Sequence, residues 1–291
     1  MITPLDIATA RATPGPLPPS GLDLLIAASA REGRARRLSD LLEGADAGGS
    51  VYLANAEAVR SILGRGVNPQ LYLAYRDIAA PRLKAGQPGD TVAGAARWFA
   101  DLVVYTAAHV GGGPELGRSI GHWNTPAQVE IFQCLSGRVL VLHTGIDDGG
   151  SSTMDYHVCQ AGDHVVIPFG SWHLTVVLDA PAAVFNIYTD VAELLAGHTG
   201  RDAADSDLKY RAAAAPELTI ARTASSIAVI GSRRELDRRL LRRGEFPPWA
   251  KALLGPSGLA AFYPHASDAE LAQLQEHAVR FGRHLVSGAA R

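Results

Sequence analysis

The sequence predicts a mainly β fold, a closed or sandwiched all-β unit of which a jelly-roll barrel is one solution, with helical additions at both ends, on three observations. From about residue 102 to 189 it runs as short apolar, β-branched stretches separated by Gly, Pro, Ser and Asp, the pattern of many short strands joined by turns. On either side the apolar residues recur at helical spacing instead, as in Leu24, Leu25 and Ala28. With 291 residues, 47% of them hydrophobic, the chain is long enough to bury a sizeable core.

In chain order, residues 1–20 carry Pro14, Pro16, Pro18 and Pro19 and read as an irregular arm. Ser20 is placed to cap a helix from about Gly21, with an apolar stripe of Leu22, Leu24, Leu25, Ala28 and Ala30. The basic run 31–37 reads as a solvated face. Asn55 is expected to cap a second helix over 56–63, ending near Gly64-Arg65-Gly66, and residues 70–75 alternate as a strand. Residues 90–100 are predicted as a helix packing Trp98 and Phe99 on the barrel, and 102–110 as a strand turned by Gly111-Gly112-Gly113-Pro114.

Strands are predicted over 129–135 and 139–144, joined by a turn at Ser136-Gly137, and then over 156–160, 164–168, 173–178 and 183–189. Residues 191–196 read as helical, 197–207 as a polar linker, and 218–230 as one or two strands extending the sheet. Residues 233–243 set Arg233, Arg234, Arg238, Arg239, Arg242 and Arg243 around Leu236, Leu240 and Leu241, which predicts an amphipathic helix with a basic outer face. Ser267 is placed to cap a last helix reaching about Leu285. No internal repeat is present. The expected division is an N-terminal arm with helices (1–68), a barrel carrying the site (69–200) and a partly helical C-terminal extension (201–291).

Composition excludes several classes. Lys and Arg number 27 against 29 Asp and Glu, so the chain has no bulk positive charge with which to hold nucleic acid. Cys134 and Cys159 are the sole cysteines, so no disulfide framework is implied. No apolar run approaches the ~20 residues that span a bilayer. The start, Met1-Ile2-Thr3-Pro4, has neither a basic nor an apolar leader region, so a cytoplasmic protein is expected.

Chemistry concentrates between Gly121 and Val177. Gly121-His122 is followed by Asn124, by Glu130 and, after six intervening residues, by Gly137; further on, Gly162, Pro168, Gly170 and His173 stand in the order G-x5-P-x-G-x2-H. Because side chains alternate along a strand, Glu130, Phe132 and Cys134 share one face, and so do His173, Thr175 and Val177. If both faces point into a small barrel, two imidazoles and a carboxylate converge on one interior point. Such a donor set with open positions is the facial triad of non-haem Fe(II) oxygenases.

The two motifs resemble the paired signature of the cupin superfamily, which implies a cupin jelly-roll barrel with one mononuclear metal site. The second motif matches at every fixed position. The first departs from the pattern at Asn124, where a second histidine is expected. The order of the flanking features is similar to that of the archaeal-type, cupin glucose-6-phosphate isomerases over residues 33–200: Arg36-Arg37-Leu38-Ser39-Asp40-Leu41, the strand with Tyr72 and Tyr75, Glu115, Ser119-Ile120-Gly121-His122, and Asp190 after Tyr188. That resemblance implies His122, Glu130 and His173 as metal ligands, and hydroxyl groups such as Ser119 and Tyr72 for a sugar phosphate. Phe132 stands where a tyrosine often follows the glutamate, and the threonine expected near Tyr105 is displaced to Thr106.

Two chemistries fit these residues. In the oxidative one, His122, Glu130 and His173 hold Fe(II) and leave positions for a chelating substrate and O2, an opening that the missing fourth ligand provides. In the isomerase one, the metal (Zn, Mn or Ni) polarises an open-chain sugar and Glu130 moves a proton between adjacent carbons. A non-catalytic, small-molecule-binding cupin is the third reading. The oxidative reading is preferred, with His122, Glu130 and His173 as the catalytic metal group. Asn124, Ser119, Tyr72, Thr175, Tyr188 and Arg118 are the expected substrate-binding residues, Arg118 as an anion binder. Asn186 is expected to face away from Tyr188. His109, His143, His164 and His198 read as structural or surface residues, and His157 with Cys159 lacks partners for a metal pair. The partners expected are a small polar metabolite, O2 and a second copy of the chain as a homodimer, with no nucleic acid and no membrane.

Overall fold

The computed structural model describes residues 1–5, 7, 19–46, 51–79, 82–83, 97–110, 115–124, 128–144, 152–190, 215–223 and 226–287. In chain order the elements are β1 (Ile2–Pro4), α1 (Pro19–Ser29), β2 (Arg34–Arg37), α2 (Leu38–Asp46), α3 (Ala56–Gly64), β3 (Gln70–Tyr75), β4 (Arg82–Leu83), β5 (Arg97–Tyr105), β6 (His122–Trp123) and β7 (Gln128–Thr144). They continue with β8 (Ser152–Gln160), β9 (His164–Ile167), β10 (Trp172–Asp190), β11 (Leu218–Arg222), β12 (Ile227–Gly231), α4 (Arg233–Arg238), β13 (Arg239–Arg243), α5 (Ala250–Leu254), α6 (Gly258–Phe262) and α7 (Asp268–Ser287).

Two long antiparallel strands make the barrel. β7 has 17 residues and β10 has 19, and both run through a single ten-stranded sheet whose two halves, treated below as a first and a second sheet, fold over to face one another. Residues 128–136 of β7 pair with 183–190 of β10, and β5, β3 and β2 follow outward on one side with β9 on the other. Residues 138–144 of β7 pair with 172–179 of β10, flanked by β8, β13 and β6. The register shifts between Val177 and Val184 mark the fold line. Gly137 lies on it, with φ +70 and space so tight that a Cβ would sit 2.5 Å from the Pro181 carbonyl oxygen. The turn expected at Ser136-Gly137 is therefore a bend within a continuous strand. Gly137 does mark a sharp change of direction, but pairing with β10 on both sides of it carries the chain onward instead of back.

Three apolar clusters fill the layers. Between the facing sheets lie Phe132, Cys134, Val139, Val141, Cys159, Val177 and Val184, closed at one side by Leu38 and Leu41 of α2 and Val59 and Ile62 of α3. Outside the first sheet, Ile131, Phe185 and Ile187 pack on Leu24 of α1, Leu254 and Tyr263, and on Leu271, Leu274 and Phe281 of α7. Outside the second, Leu140, Leu142, Leu174 and Val176 meet Leu218, Ile220 and Val229. Among the described residues the helical additions therefore share their cores with the barrel.

Two of the three expected caps form; Ser20 instead lies inside α1, which begins at Pro19, and does not cap it. Asn55 accepts the Ala58 N–H at 2.9 Å, and Ser267 and Glu270 make a reciprocal capping box at the start of α7. In α1 the buried face is Gly21, Leu24 and Ala28, whereas Leu22 and Ala30 are exposed.

Other expectations are corrected. Residues 97–100 of the predicted helix are the start of β5, which buries Trp98 and ends at Tyr105 instead of 110; residues 90–96 lie outside the described set. The arm's first residues form β1, paired with β12, and β1, β12 and β11 make a separate three-stranded sheet instead of extending the large one. Residues 31–37 include an edge strand, β2. The predicted helix over 233–243 stops at Arg238 and becomes β13, parallel to β8. A continued helix would aim its arginines at water; the strand lets Arg239 reach Glu235 and Thr144, and Arg242 reach Asp155. The predicted 191–196 helix and 197–207 linker lie outside the described residues. No helix among the described residues is long and apolar enough to cross a membrane.

Candidate metal centre

The facing strands set up a gradient from apolar to polar. Inward positions recur every second residue, so each strand can be read from the fold line outward. β7 gives Cys134, Phe132 and Glu130 in one sheet and Val139, Val141 and His143 in the other. β10 gives Val177, Thr175 and His173, and on its other arm Val184, Asn186 and Tyr188. Cross-strand pairs align these rungs: Cys134 with Val184, Phe132 with Asn186, Glu130 with Tyr188, and His173 with both His143 and His122. The fold line is thus an apolar floor, and the far end of the barrel is a polar mouth.

His122, Glu130 and His173 meet at that mouth. One donor atom from each lies within 4.8 Å of the others. His173 Nε2 stands 3.5 Å from Glu130 Oε2, and the His122 and His173 rings meet edge to face with centroids 4.2 Å apart. Ligands about 2.0–2.2 Å from a common ion stand roughly 3–3.5 Å apart when adjacent, so this set of two nitrogens and one oxygen fits a mononuclear metal. Glu130 and His173 are buried, and His122 keeps partial exposure, so the group opens on the His122 side.

The local chain accounts for each donor's position. Gly121 has φ +83, and a Cβ there would come 2.8 Å from the buried Trp172 ring; only glycine lets the chain pass over this ring to deliver His122 opposite His173. The bend before His173 is pinned by Ser171 Oγ donating to the Pro168 carbonyl at 2.6 Å. Glu130 Oε1 accepts from Asn186 Nδ2 at 2.6 Å. Asn186 and Tyr188, two residues apart, face the same side, so the expected division between them is wrong. Tyr188 stacks on Phe99 at 5.3 Å.

The remaining predicted residues fall into three groups. Asn124 donates its backbone N–H to Ser171 at 2.9 Å, which continues the β6 ladder and puts its side chain on the His122 face. Ser119, Thr175 and Tyr72 gather one rung below the ligands: Thr175 N donates to Ser119 Oγ at 3.0 Å, and Tyr72 lies 5.5 Å from Tyr105, whose hydroxyl hydrogen-bonds the Thr175 and Ser119 side chains. Arg118 is not brought to the mouth. It is fully buried and donates to the carbonyls of Tyr52, Ser119 and Ile120 and to Thr219 Oγ1, beside the Glu115 carboxylate. It is therefore committed to protein oxygens, with a structural role instead of anion binding.

Sequence reasoning missed several mouth residues. His143 and His157 face inward beside His173, with their Nε2 atoms 3.1 Å apart. Burial pushes both imidazoles down to about 3, so both are neutral near pH 7 and share one proton across the contact. Phe246 packs edge-on against His157 with centroids 5.6 Å apart, and Gly244 leaves room where a Cβ would lie 2.2 Å from its Nε2. Asp101, fully buried opposite Asn186, holds Arg76, and burial raises its carboxyl despite that partner. Gln128 lies two residues before Glu130 on the same face and is 2% exposed. At the floor, burial pushes the Cys134 thiol up to about 12 and Cys159 well upward, so neither supplies a thiolate.

The topology is thus a jelly-roll β-barrel, and its mouth brings together a donor set that fits a mononuclear metal ion. No protein-family model and no curated protein sequence matches the chain. Solved structures are similar to it over part of its length. One is recombinant oxalate oxidase in complex with glycolate, with 20% identity over 42% of this chain and 52% of that one and a TM-score of 0.29. Another is the cupin domain of Cnp3 from Schizosaccharomyces pombe, with 10% identity over 47% and 76% and a TM-score of 0.29. A third is KdgF from Halomonas sp., with 13% identity over 41% and 78% and a TM-score of 0.24. The chain spans 52% of peruvianin-I, a cysteine peptidase from Thevetia peruviana latex, and 43% of an oxalate oxidase.

Proposed function

We propose that this chain is a mononuclear metal enzyme of the oxidase or oxygenase type, acting on a small polar metabolite with Fe(II) at His122, Glu130 and His173. The observation that carries the reading is the three-donor group itself, with a neutral amide, Asn124, on the face where a fourth imidazole would complete a closed site. A neutral amide is a weak transition-metal ligand, so coordination positions stay open. Fe(II) bound there would supply one-electron chemistry with O2 and hold a chelating substrate. The protein's part is to fix the donors. Asn186 orients the Glu130 carboxylate, the Trp172 ring sets the path of His122, and the apolar floor excludes water from beneath the group.

The isomerase alternative receives less support, because a sugar phosphate calls for cations and Arg118 is committed elsewhere. The test is metal analysis of the purified protein, then anaerobic Fe(II) loading and exposure to O2 with a panel of small hydroxylated metabolites. About one iron per chain with substrate-dependent O2 uptake, both lost in His173→Ala, is expected. Metal retention by His173→Ala would overturn the site. Aldose–ketose interconversion of a sugar phosphate without O2 uptake would overturn the reaction.

A further inference from the structure

The two buried amides that flank the ligands differ from the other amides of the barrel. Asn124 is 3% exposed, and neither its Nδ2 nor its Oδ1 has a hydrogen-bond partner among the described residues; Gln128 is 2% exposed, and its Nε2 has none among them. Two other buried amides of the barrel are bonded. Asn186 donates to Glu130, and Gln133 accepts the Ala260 N–H at 2.8 Å while donating to the Ser257 carbonyl at 3.4 Å. A buried amide without a partner loses its water and gains nothing in return, so proteins rarely keep one without a use.

Placement supplies the use. Asn124 follows His122 by two residues and Gln128 precedes Glu130 by two, so alternation puts each amide on the same face as a metal ligand. We infer that Asn124 and Gln128 form an oxygen-binding subsite beside the metal group, which selects a substrate carrying a hydroxyl next to a carbonyl and no phosphate. The inference rests on the metal-centre reading above.

The substrate class follows from the groups offered. The two amide nitrogens present N–H donors suited to a carbonyl or carboxylate oxygen, and Asn124 Oδ1 presents an acceptor suited to a hydroxyl. Oxygens on adjacent carbons can chelate one metal through the pair while their outward lone pairs and proton meet the amides. Charge completes the selection. Arg118 is committed to four protein oxygens, Arg76 is held by Asp101, and Arg242 is held by Asp155. With those guanidinium groups engaged and the Glu130 and Asp101 carboxylates near the mouth, a doubly charged phosphate is disfavoured against a neutral or singly charged hydroxycarbonyl.

The experiment uses the full chain loaded with Mn(II) and follows binding by calorimetry with four probes: hydroxyacetone, lactate, propionate (which lacks the hydroxyl) and glyceraldehyde 3-phosphate. Hydroxyacetone or lactate is expected to bind, and propionate and the phosphate at least tenfold more weakly. In Asn124→Leu and Gln128→Met, near-isosteric changes, binding of the preferred probe should fall about tenfold each, as for loss of one hydrogen bond at a site worth tenfold per 1.4 kcal/mol. Mn(II) affinity should stay within twofold, and the melting temperature should hold or rise, because an unbonded amide leaves the interior. A fall in melting temperature with unchanged probe binding would show the amides to be structural and overturn the proposal. So would tighter binding of the phosphate, or wild-type protein that holds Mn(II) and binds none of the probes. Failure of wild-type protein to hold any metal would instead refute the metal-centre reading beneath it.

Discussion

Replacing Asn186 by leucine tests whether the Glu130 carboxylate is held ready for a metal. The change keeps the side-chain volume close and removes the 2.6 Å hydrogen bond from Nδ2 to Glu130 Oε1, inside a rung where Asn186 is 5% exposed and Glu130 2%. A hydrogen bond to a charged partner contributes about 1.5–3 kcal/mol. Groups that orient a metal ligand typically change metal affinity by about 10–100-fold, or roughly 1.4–2.7 kcal/mol, so the two scales agree. The metal-free protein should stay folded but melt lower, by roughly 3–12 °C, because the same bond to the buried Glu130 is lost there too. Metal affinity should fall by that 10–100-fold in competition against a chromophoric chelator. A folded variant that binds metal within twofold of wild type would refute the claim that Asn186 positions Glu130. Asn186→Asp should be worse, since it sets a new carboxylate between Glu130 and Asp101.

Three further outcomes are expected. Gly137→Ala must place a Cβ 2.5 Å from the Pro181 oxygen and 2.7 Å from the Asp179 oxygen at φ +70, so it should destabilise by at least the roughly 1–2 kcal/mol of a left-handed residue, read as a lower urea midpoint; an unchanged midpoint would refute the fold-line geometry. Ser267→Ala removes the capping box of α7 and should cost about 1 kcal/mol in the same assay. The His143–His157 pair gives a pH dependence whose sign is fixed: both folded values lie near 3, below the ordinary 6.5, so the unfolded chain takes up protons that the folded chain refuses. Stability from this pair is complete above about 6.5 and is lost as pH falls toward 3, at up to about 1.4 kcal/mol per residue per unit. The metal-free protein should lose urea midpoint between pH 7 and 5, and His157→Phe should flatten the slope; equal slopes would show the pair to be protonated in the fold.

What was legible in the sequence was whatever alternation and spacing decide locally. Glu130 and His173 were readable because strand parity and a fixed bend place them, and Asn55 and Ser267 because a cap is settled within one turn. His143 and His157 were not, because a histidine on a strand looks alike whether it meets water or another imidazole; the register of β7 against β8 and β10 makes the difference, and that is tertiary. The structural role of Arg118 is hidden for a related reason. Its position beside the motif is local, but its acceptors, Tyr52 and Thr219, come from distant stretches of the chain. The 233–243 run shows propensity overruled, since Asp155 and Thr144 waited on the barrel wall for arginines that a helix would have turned outward. Asn186 needed no tertiary knowledge; parity alone puts it beside Tyr188.

The stacked rungs between the sheets also bear on how such a barrel can change its trade. His122, Glu130 and His173 hang near the mouth, and Phe132, Val141 and Thr175 are among the described side chains between them and the floor of valines and cysteines. Trimming Phe132 would deepen the chamber by a benzyl group without moving a donor atom, and bulking Thr175 would make it shallower. Descendants of this chain could therefore change the size of molecule the chamber admits by editing a single rung, while the three donor side chains above it are inherited intact.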